Sequence, residues 1–310
     1  MALETDGVEL GVCPELSQIR PQFDLRLFET LPSTNTQLWK LLKAEAQTKA
    51  RAGTVVIAQR QTAGRGQRDR IWQSDSGGLY LSLALEPDWP SAYSAQLTCF
   101  SAWGIVTALG NLGIPIQIKW PNDLFYKGKK LGGILTETKL SQSISRSSTP
   151  LSTNELPIVN TRIKQAVIGV GLNWHNQVPQ NGTTLTKILE SGPYGRAKTK
   201  ISCLEILIAV VLRGILQGYF YQQQVGSQVF MKTYEKLLTQ VGKTVSVEKG
   251  TIVSTSNSDT EHLSTPLASR CLESKCSGKV VGISEEGYLE VAVQQSARNT
   301  LLVRPSEIHI

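Results

Sequence analysis

In "FDLRLFE" (23–29) apolar and polar residues alternate, the period of a strand with one face buried. "TVVIAQ" (54–59) and "GLYLSLAL" (78–85) are short and apolar or β-branched, and read as two further strands. Between the first two, "LPSTNTQLWKLLKAEAQTKARAG" has helical character, with Ser33 or Thr34 to cap it and Gly53 to stop it. A longer helix is predicted through "SAYSAQLTCFSAWGIVTALGNLG", ending at Gly113. "IQIKW" reads as a strand that runs into a Pro-Asn-Asp turn, and "LGGILTETK" and "QAVIGVGLNW" as two more strands. Helices at about 199–224 and 227–239 follow. The first contains the most apolar run of the chain, interrupted by Glu205 and Arg213, which predicts a buried helix rather than a membrane span.

From about 240 the pattern changes to short strands split by turn signals, "GKTVSVEKG", "GKVVGISEEGYLEVAV" and "NTLLVRPSEI", which predicts a small β-barrel. The organisation expected is an arm over 1–22, a main domain over 23–239 and a barrel domain over 240–310. Two polar stretches, about 140–164 and 254–276, read as surface insertions.

Composition narrows little: 40% hydrophobic and 18% charged residues suffice for a core. A formal charge of +7 suits an anionic partner, whether nucleic acid, an acidic protein or a nucleotide phosphate. Five cysteines without framework spacing point to reduced thiols in a cytosol. Cys271 and Cys276 with His262 lack a fourth zinc ligand, so no metal site is expected there. The first residues carry acids and no apolar core of the kind a secretory signal has.

The obvious nucleotide fingerprints fail. "GKT" at 242–244 has Leu237 where a P-loop needs glycine, and "GVGLNW" (169–174) has Trp174 in place of the third glycine of a dinucleotide fingerprint. Three polar or cationic segments remain where strands end: "STN" (33–35), "QTAGRGQR" (61–68) and "KWPNDLFYKGKKLGG" (119–133), the last read as a link between two strands. Alone, each has an ordinary explanation as a cap, a turn or a solvated lysine cluster.

Together they resemble the biotin–protein ligases. "GRGQRDRIW", "KWPNDL" with "KKLGGIL" ten residues on, and "GVGLN" stand in that family's order, with "STN" upstream and "YEKLLTQVGKTVSV" downstream. The resemblance spans about residues 23–249. It implies an α+β fold, with a mixed sheet flanked by helices (the class II synthetase-like biotin/lipoate ligase core) followed by a small SH3-like β-barrel. It also implies two half-reactions. Biotin and ATP, with Mg2+, give biotinoyl-5′-AMP and pyrophosphate; the acyl group then passes to a lysine of a biotin carboxyl carrier domain of acetyl-CoA carboxylase or a related carboxylase.

Adenylation brings two negative groups together, a repulsion of roughly 4–5 kcal/mol at about 3.5 Å and an effective dielectric near 20. Fixed cations must offset it, and Arg65, Arg68, Arg70, Lys119 and Lys130 can supply them. Gly64 and Gly66 let backbone N–H groups approach an anion, so "TAGRGQRDRIW" reads as a lid over an acyl-adenylate. The resemblance matches Ser33, Thr34, Asn35 and Gln61 to ring-binding positions, Arg65, Gly66 and Gln67 to the covering loop, and Lys130 to the carboxylate-contacting lysine. The apolar chain of biotin is expected along Leu131, Gly132 and Gly133, and Trp72 against the nucleotide or as an anchor of the lid. Asp123 is assigned to the acceptor lysine, Asn122 to the adenylate and Asn173 to the nucleotide side. No carboxylate is assigned to Mg2+.

Gln67 stands where many members have arginine, and Asp69 where glycine is frequent. Members that double as repressors carry a DNA-binding domain upstream; 32 residues precede Ser33 here, so a monofunctional ligase without a DNA or membrane partner is expected. Members often dimerise through the sheet. The rival readings are a lipoate-type ligase on the same fold and a basic nucleic-acid-binding protein, the latter without an aromatic-basic strand motif to support it.

Overall fold

A computed structural model describes residues 12–13, 21–44, 47, 49–145, 158–191, 200–247, 252–256, 276–293 and 300–303. The alternating stretch forms β1 (Asp24–Leu31), and helix α1 (Thr34–Lys43) follows directly. That helix ends well before Gly53. Its apolar positions Leu38 and Leu42 are buried, and Gly53 serves instead as a positive-φ residue just ahead of β2 (Thr54–Gln61).

β3 (Leu79–Leu85) is buried at every position. After the two-residue β4 (Trp89–Pro90) come helix α2 (Ser94–Asn111) and β5 (Gln117–Lys119). The expected link after Trp120 is itself a strand, β6 (Asp123–Tyr126), paired to β5 and to the long β7 (Lys129–Ser145). Lys127 and Gly128, both at positive φ, make the two-residue hairpin turn between them. From Gly132 onward β7 pairs with β8 (Ile158–Leu172), from Gly132↔Leu172 to Ser145↔Ile158. Much of the stretch at 140–164 is therefore strand rather than excursion, because each half gives the other a ladder of backbone partners; 146–157 lie outside the described residues. A short helix that no pattern announced, α3 (Leu185–Ser191), precedes α4 (Leu204–Val225) and α5 (Ser227–Glu235).

The sheet runs β1-β2-β3-β8-β7-β6-β5, with β1 and β2 parallel and the other pairs antiparallel. One face carries α2 and α4, the other α1. α4 is long and apolar enough to cross a membrane, yet 56% of its most apolar window is buried in the fold. It crosses α2 with backbones touching: a Cβ on Gly104 would overlap the Gly214 carbonyl, and one on Gly218 the Phe100 carbonyl.

Five further strands, β9 (Thr244–Val247), β10 (Ile252–Ser256), β11 (Cys276–Ile283), β12 (Leu289–Val293) and β13 (Thr300–Val303), form an antiparallel sheet in the order β10-β13-β12-β11-β9. β9 and β10, its two ends, do not pair with each other, so the expected SH3-like barrel is an open sheet among the described residues. Register shifts at Ile252/Ser254 and Val280/Gly282 bend it without bringing the ends together. His262 and Cys271 lie outside the described residues, as does most of the 1–22 arm.

Both sheets share one apolar core, with Val280, Leu289 and Val291 in the same cluster as Phe100, Ile105 and Leu212. Cys99 sits at the junction, 3.6 Å from where a Cβ on Gly287 would lie. Burial pushes its thiol up to about 12. At about pH 8 Cys99 should therefore resist alkylation in the folded chain and label only on unfolding, while the part-exposed Cys13 and Cys203 label first. Mass spectrometry of labelled peptides over a urea series checks this.

Candidate active site

Strand pairing lays out a floor nearly free of side chains. Gly133 on β7 stands opposite both Asp123 on β6 and Gly171 on β8, and Leu135 stands opposite Gly169, which in turn faces Ser82 on β3. The rejected fingerprint "GVG" thus has a structural use: two glycines, two residues apart, on the face that carries the cleft. A cleft of about 340 Å³ opens over this floor.

A bulge sets its cationic end. β6 pairs Leu124 with Gly132 but Phe125 with Lys130, leaving Leu131 as an extra residue in β7. The extra residue turns Lys130 to the face of Asp123 and Gly133, where its Nζ lies 2.7 Å from Asp123 Oδ1. Lys130 Nζ is also 5.1 Å from the centroid of the Trp72 ring. Lys119 lines the same end, its Nζ 5.8 Å from the Phe125 ring.

The neutral polar end is built at the start of α1. Ser33 holds the N-cap position, yet its side chain makes no cap hydrogen bond and faces the cleft. Gln61, at the end of β2, accepts from the Thr34 amide at 2.8 Å and donates through Nε2 to Ser74 Oγ at 2.8 Å. Ser82 Oγ lies 2.8 Å from Thr34 Oγ1 and 2.6 Å from Asn35 Oδ1. Asn35 occupies the space that a Cβ on Gly169 would need.

The loop 64–72 is a small closed flap. Arg65 bridges Ile71, Gly66 N donates to Arg70 O at 2.7 Å, and Trp72 N donates to Gly64 O at 2.9 Å. Its tip turns through Arg68 and Asp69, at φ 56° and 59°. Left-handed backbone there explains why glycine suits position 69, and aspartate is among the side chains that tolerate it. Trp72 lies on the glycine floor: a Cβ on Gly171 would overlap its Nε1, and one on Gly133 would sit 3.8 Å from its Cζ3. That buried Nε1 has no acceptor among the described residues.

Of the residues picked from sequence, Ser33, Thr34, Asn35, Gln61, Arg65, Gly66, Gln67, Arg68, Trp72, Lys119, Asn122, Asp123, Lys130 and Gly133 line the cleft. Four do not. Gly64 is packed beneath the flap, where a Cβ would overlap Trp72 O and Ser74 Oγ. Leu131 is fully buried toward the core, and Gly132 packs against the Gly171 carbonyl. Asn173 is buried, donating to Thr183 O at 3.2 Å and accepting from Asn176 Nδ2 at 3.1 Å. Asn122 lines the cleft, but its Nδ2 ties the loop to β7 by donating to Ile134 O at 2.7 Å.

Sequence reasoning missed the supports. Gln240 lines the cleft and brackets Trp120, accepting from its N at 3.0 Å and donating to its O at 3.3 Å. Tyr234 donates to Pro121 O at 2.8 Å, and Trp120 Nε1 donates to Gly287 O at 3.1 Å. Glu137 was missed as well; it pairs with Arg65 at 2.9 Å.

Residues 27–154 match the model of the biotin/lipoate A/B protein ligase family. Over that stretch the chain is similar to this family. Over 134 residues it is 37% identical to the bifunctional ligase/repressor BirA of Bacillus spizizenii, covering 43% of this chain and 36% of the relative. Over 86 residues it is 40% identical to a biotin–[acetyl-CoA-carboxylase] ligase of Paracoccus denitrificans, covering 27% of this chain and 36% of the relative. The match thus spans about a third of the length of these curated relatives. The biotin protein ligase of Aquifex aeolicus, solved in complex with biotin and ATP, has a similar fold, with a TM-score of 0.56 over 90% of this chain and 99% of that one at 22% identity.

Proposed function

We propose that the cleft joins biotin to ATP as biotinoyl-5′-AMP and passes the acyl group to a lysine of a biotin carboxyl carrier domain, of acetyl-CoA carboxylase or a related carboxylase. One observation carries this reading. A neutral hydrogen-bonding end (Ser33, Thr34, Gln61) and a cationic end (Lys130, Lys119) lie on either side of a floor of glycines, with Arg65 reaching in from the flap. Such a cleft suits a ligand with a neutral polar ring, a slim apolar chain and a carboxylate.

In the first step a carboxylate oxygen of biotin attacks the α-phosphorus and pyrophosphate leaves. Lys130 meets the carboxylate, and Arg65 and Lys119 offset the charge gathered at phosphorus. The unpartnered Trp72 Nε1–H offers a donor to a ligand oxygen above the floor. In the second step the acceptor amine attacks the acyl carbonyl, AMP leaves, and Asp123, released as Lys130 turns to the ligand, takes the amine proton. The Mg2+ expected with ATP would be held mostly by phosphate oxygens and water.

Exchange of labelled pyrophosphate into ATP tests the first step without an acceptor. Biotin-dependent exchange is the expected result, lipoate-dependent exchange would move the chain to the sister activity, and no exchange with either in folded protein would overturn the reading.

A further inference from the structure

Glu137 carries no motif, yet each oxygen of its carboxylate has a separate partner. Oε1 pairs with Arg65 Nη1 on the flap at 2.9 Å, and Oε2 accepts from Asn35 Nδ2 at 2.8 Å. Asn35 is itself held at both ends of its side-chain amide. Its Nδ2 also donates to Leu135 O at 3.2 Å, and its Oδ1 accepts from Ser82 at 2.6 Å. The space it fills exists because position 169 has no side chain. Both polar atoms of this side chain are thus committed to the fold, and its amide cannot turn over without taking the donor from Glu137 Oε2. The orientation of β7 fits the same scheme, since Gly133, Leu135 and Glu137 alternate onto the cleft face while Thr136 bonds Thr98 of α2 on the other.

We propose that Glu137 is the positioning residue of the flap. Asn35 orients the carboxylate, and the carboxylate holds Arg65 over the cleft before any ligand enters. Asn35 then acts through Glu137 rather than by facing the ligand ring. What the flap covers rests on the ligase reading above; the tether itself does not. When an anionic ligand enters, Arg65 has two negative partners to share, and Glu137 sets how far the guanidinium moves. An anion on its far side finds the fork already aimed.

The flap bears three arginines, so trypsin reads its opening without any assumption about ligand. The full chain, ligand-free, is compared with Glu137→Gln, which keeps an acceptor for Asn35 and loses the charge that holds Arg65. Nicking after Arg65, Arg68 and Arg70, located by mass, is expected to rise about five-fold with an unchanged melting temperature. Arg65→Gln, at an exposed position, should raise nicking after Arg68 and Arg70 equally, and the double variant should add nothing more. Nicking of Glu137→Gln at the parent rate, or additive effects in the double variant, would overturn the tether. If Glu137→Gln does not fold, Arg65→Gln decides alone, parent-rate nicking again counting against it. In pyrophosphate exchange Glu137→Gln should raise the KM for biotin about five-fold and leave kcat within about two-fold. A parent protein without exchange activity would sink the ligase reading and leave the tether judged by proteolysis.

Discussion

Lys130→Ala is expected to lower biotin-dependent pyrophosphate exchange by about 10²–10³-fold, the range seen when one preorganised charge-stabilising donor is removed. The size follows from how Lys130 reaches the cleft. It is aimed by the bulge at Leu131, held at 2.7 Å by Asp123 and walled by Trp72, so its ammonium already stands at the cleft when a carboxylate arrives. Without it Asp123 stands alone beside an incoming carboxylate, and two like charges repel where one pair had formed. Biotin affinity should fall together with the rate. Exchange kinetics and calorimetric titration with biotin separate the two, and unchanged biotin binding would remove the assigned role. The fold should tolerate the change, because the Lys130 side chain is about a third exposed and its backbone bonds to Asn181 and Thr183 remain.

Gly104→Val should cost about 3 kcal/mol or more, at the upper end for overpacking a core. At the crossing of α2 and α4 the space beside Gly104 holds the Gly214 carbonyl, which is backbone and cannot rotate away. The helices must part, and the tightly packed Phe100, Ile105, Val211 and Ile215 lose contacts together. Urea unfolding measures the effect; a loss below about 1 kcal/mol would mean that the crossing opens at little cost.

Local periodicity was enough for β1, β2, β3, α2 and α4, each a run whose burial follows its own pattern. It misplaced the end of α1, where alanines and lysines of high helix propensity continue past the last buried leucine. It read β6 as a turn because proline, asparagine and aspartate precede only four strand residues, whose stability comes from neighbours distant in sequence. The closed barrel was an inference from strand count, whereas closure depends on pairing between the two end strands. The cleft residues that stood in motifs were found; the ones that support them were not. Glu137 lies in an ordinary alternating strand and Gln240 in an unremarkable turn, and only tertiary contact gives them partners. Asn173 errs the other way, a polar residue at a strand end whose side chain is spent on its own loop.

The bracket around Trp120 has a consequence for how the protein is made. A chain that has emerged from the ribosome through residue 235 already contains every strand of the large sheet, and so nearly the whole floor, flap and cationic end. The loop bearing Asn122 and Asp123 still lacks Gln240, and Gly287 comes nearly fifty residues later. Translation from the N-terminus therefore assembles the cleft early and locks it late, so nascent chains halted between those points carry a site that is formed but not yet fastened.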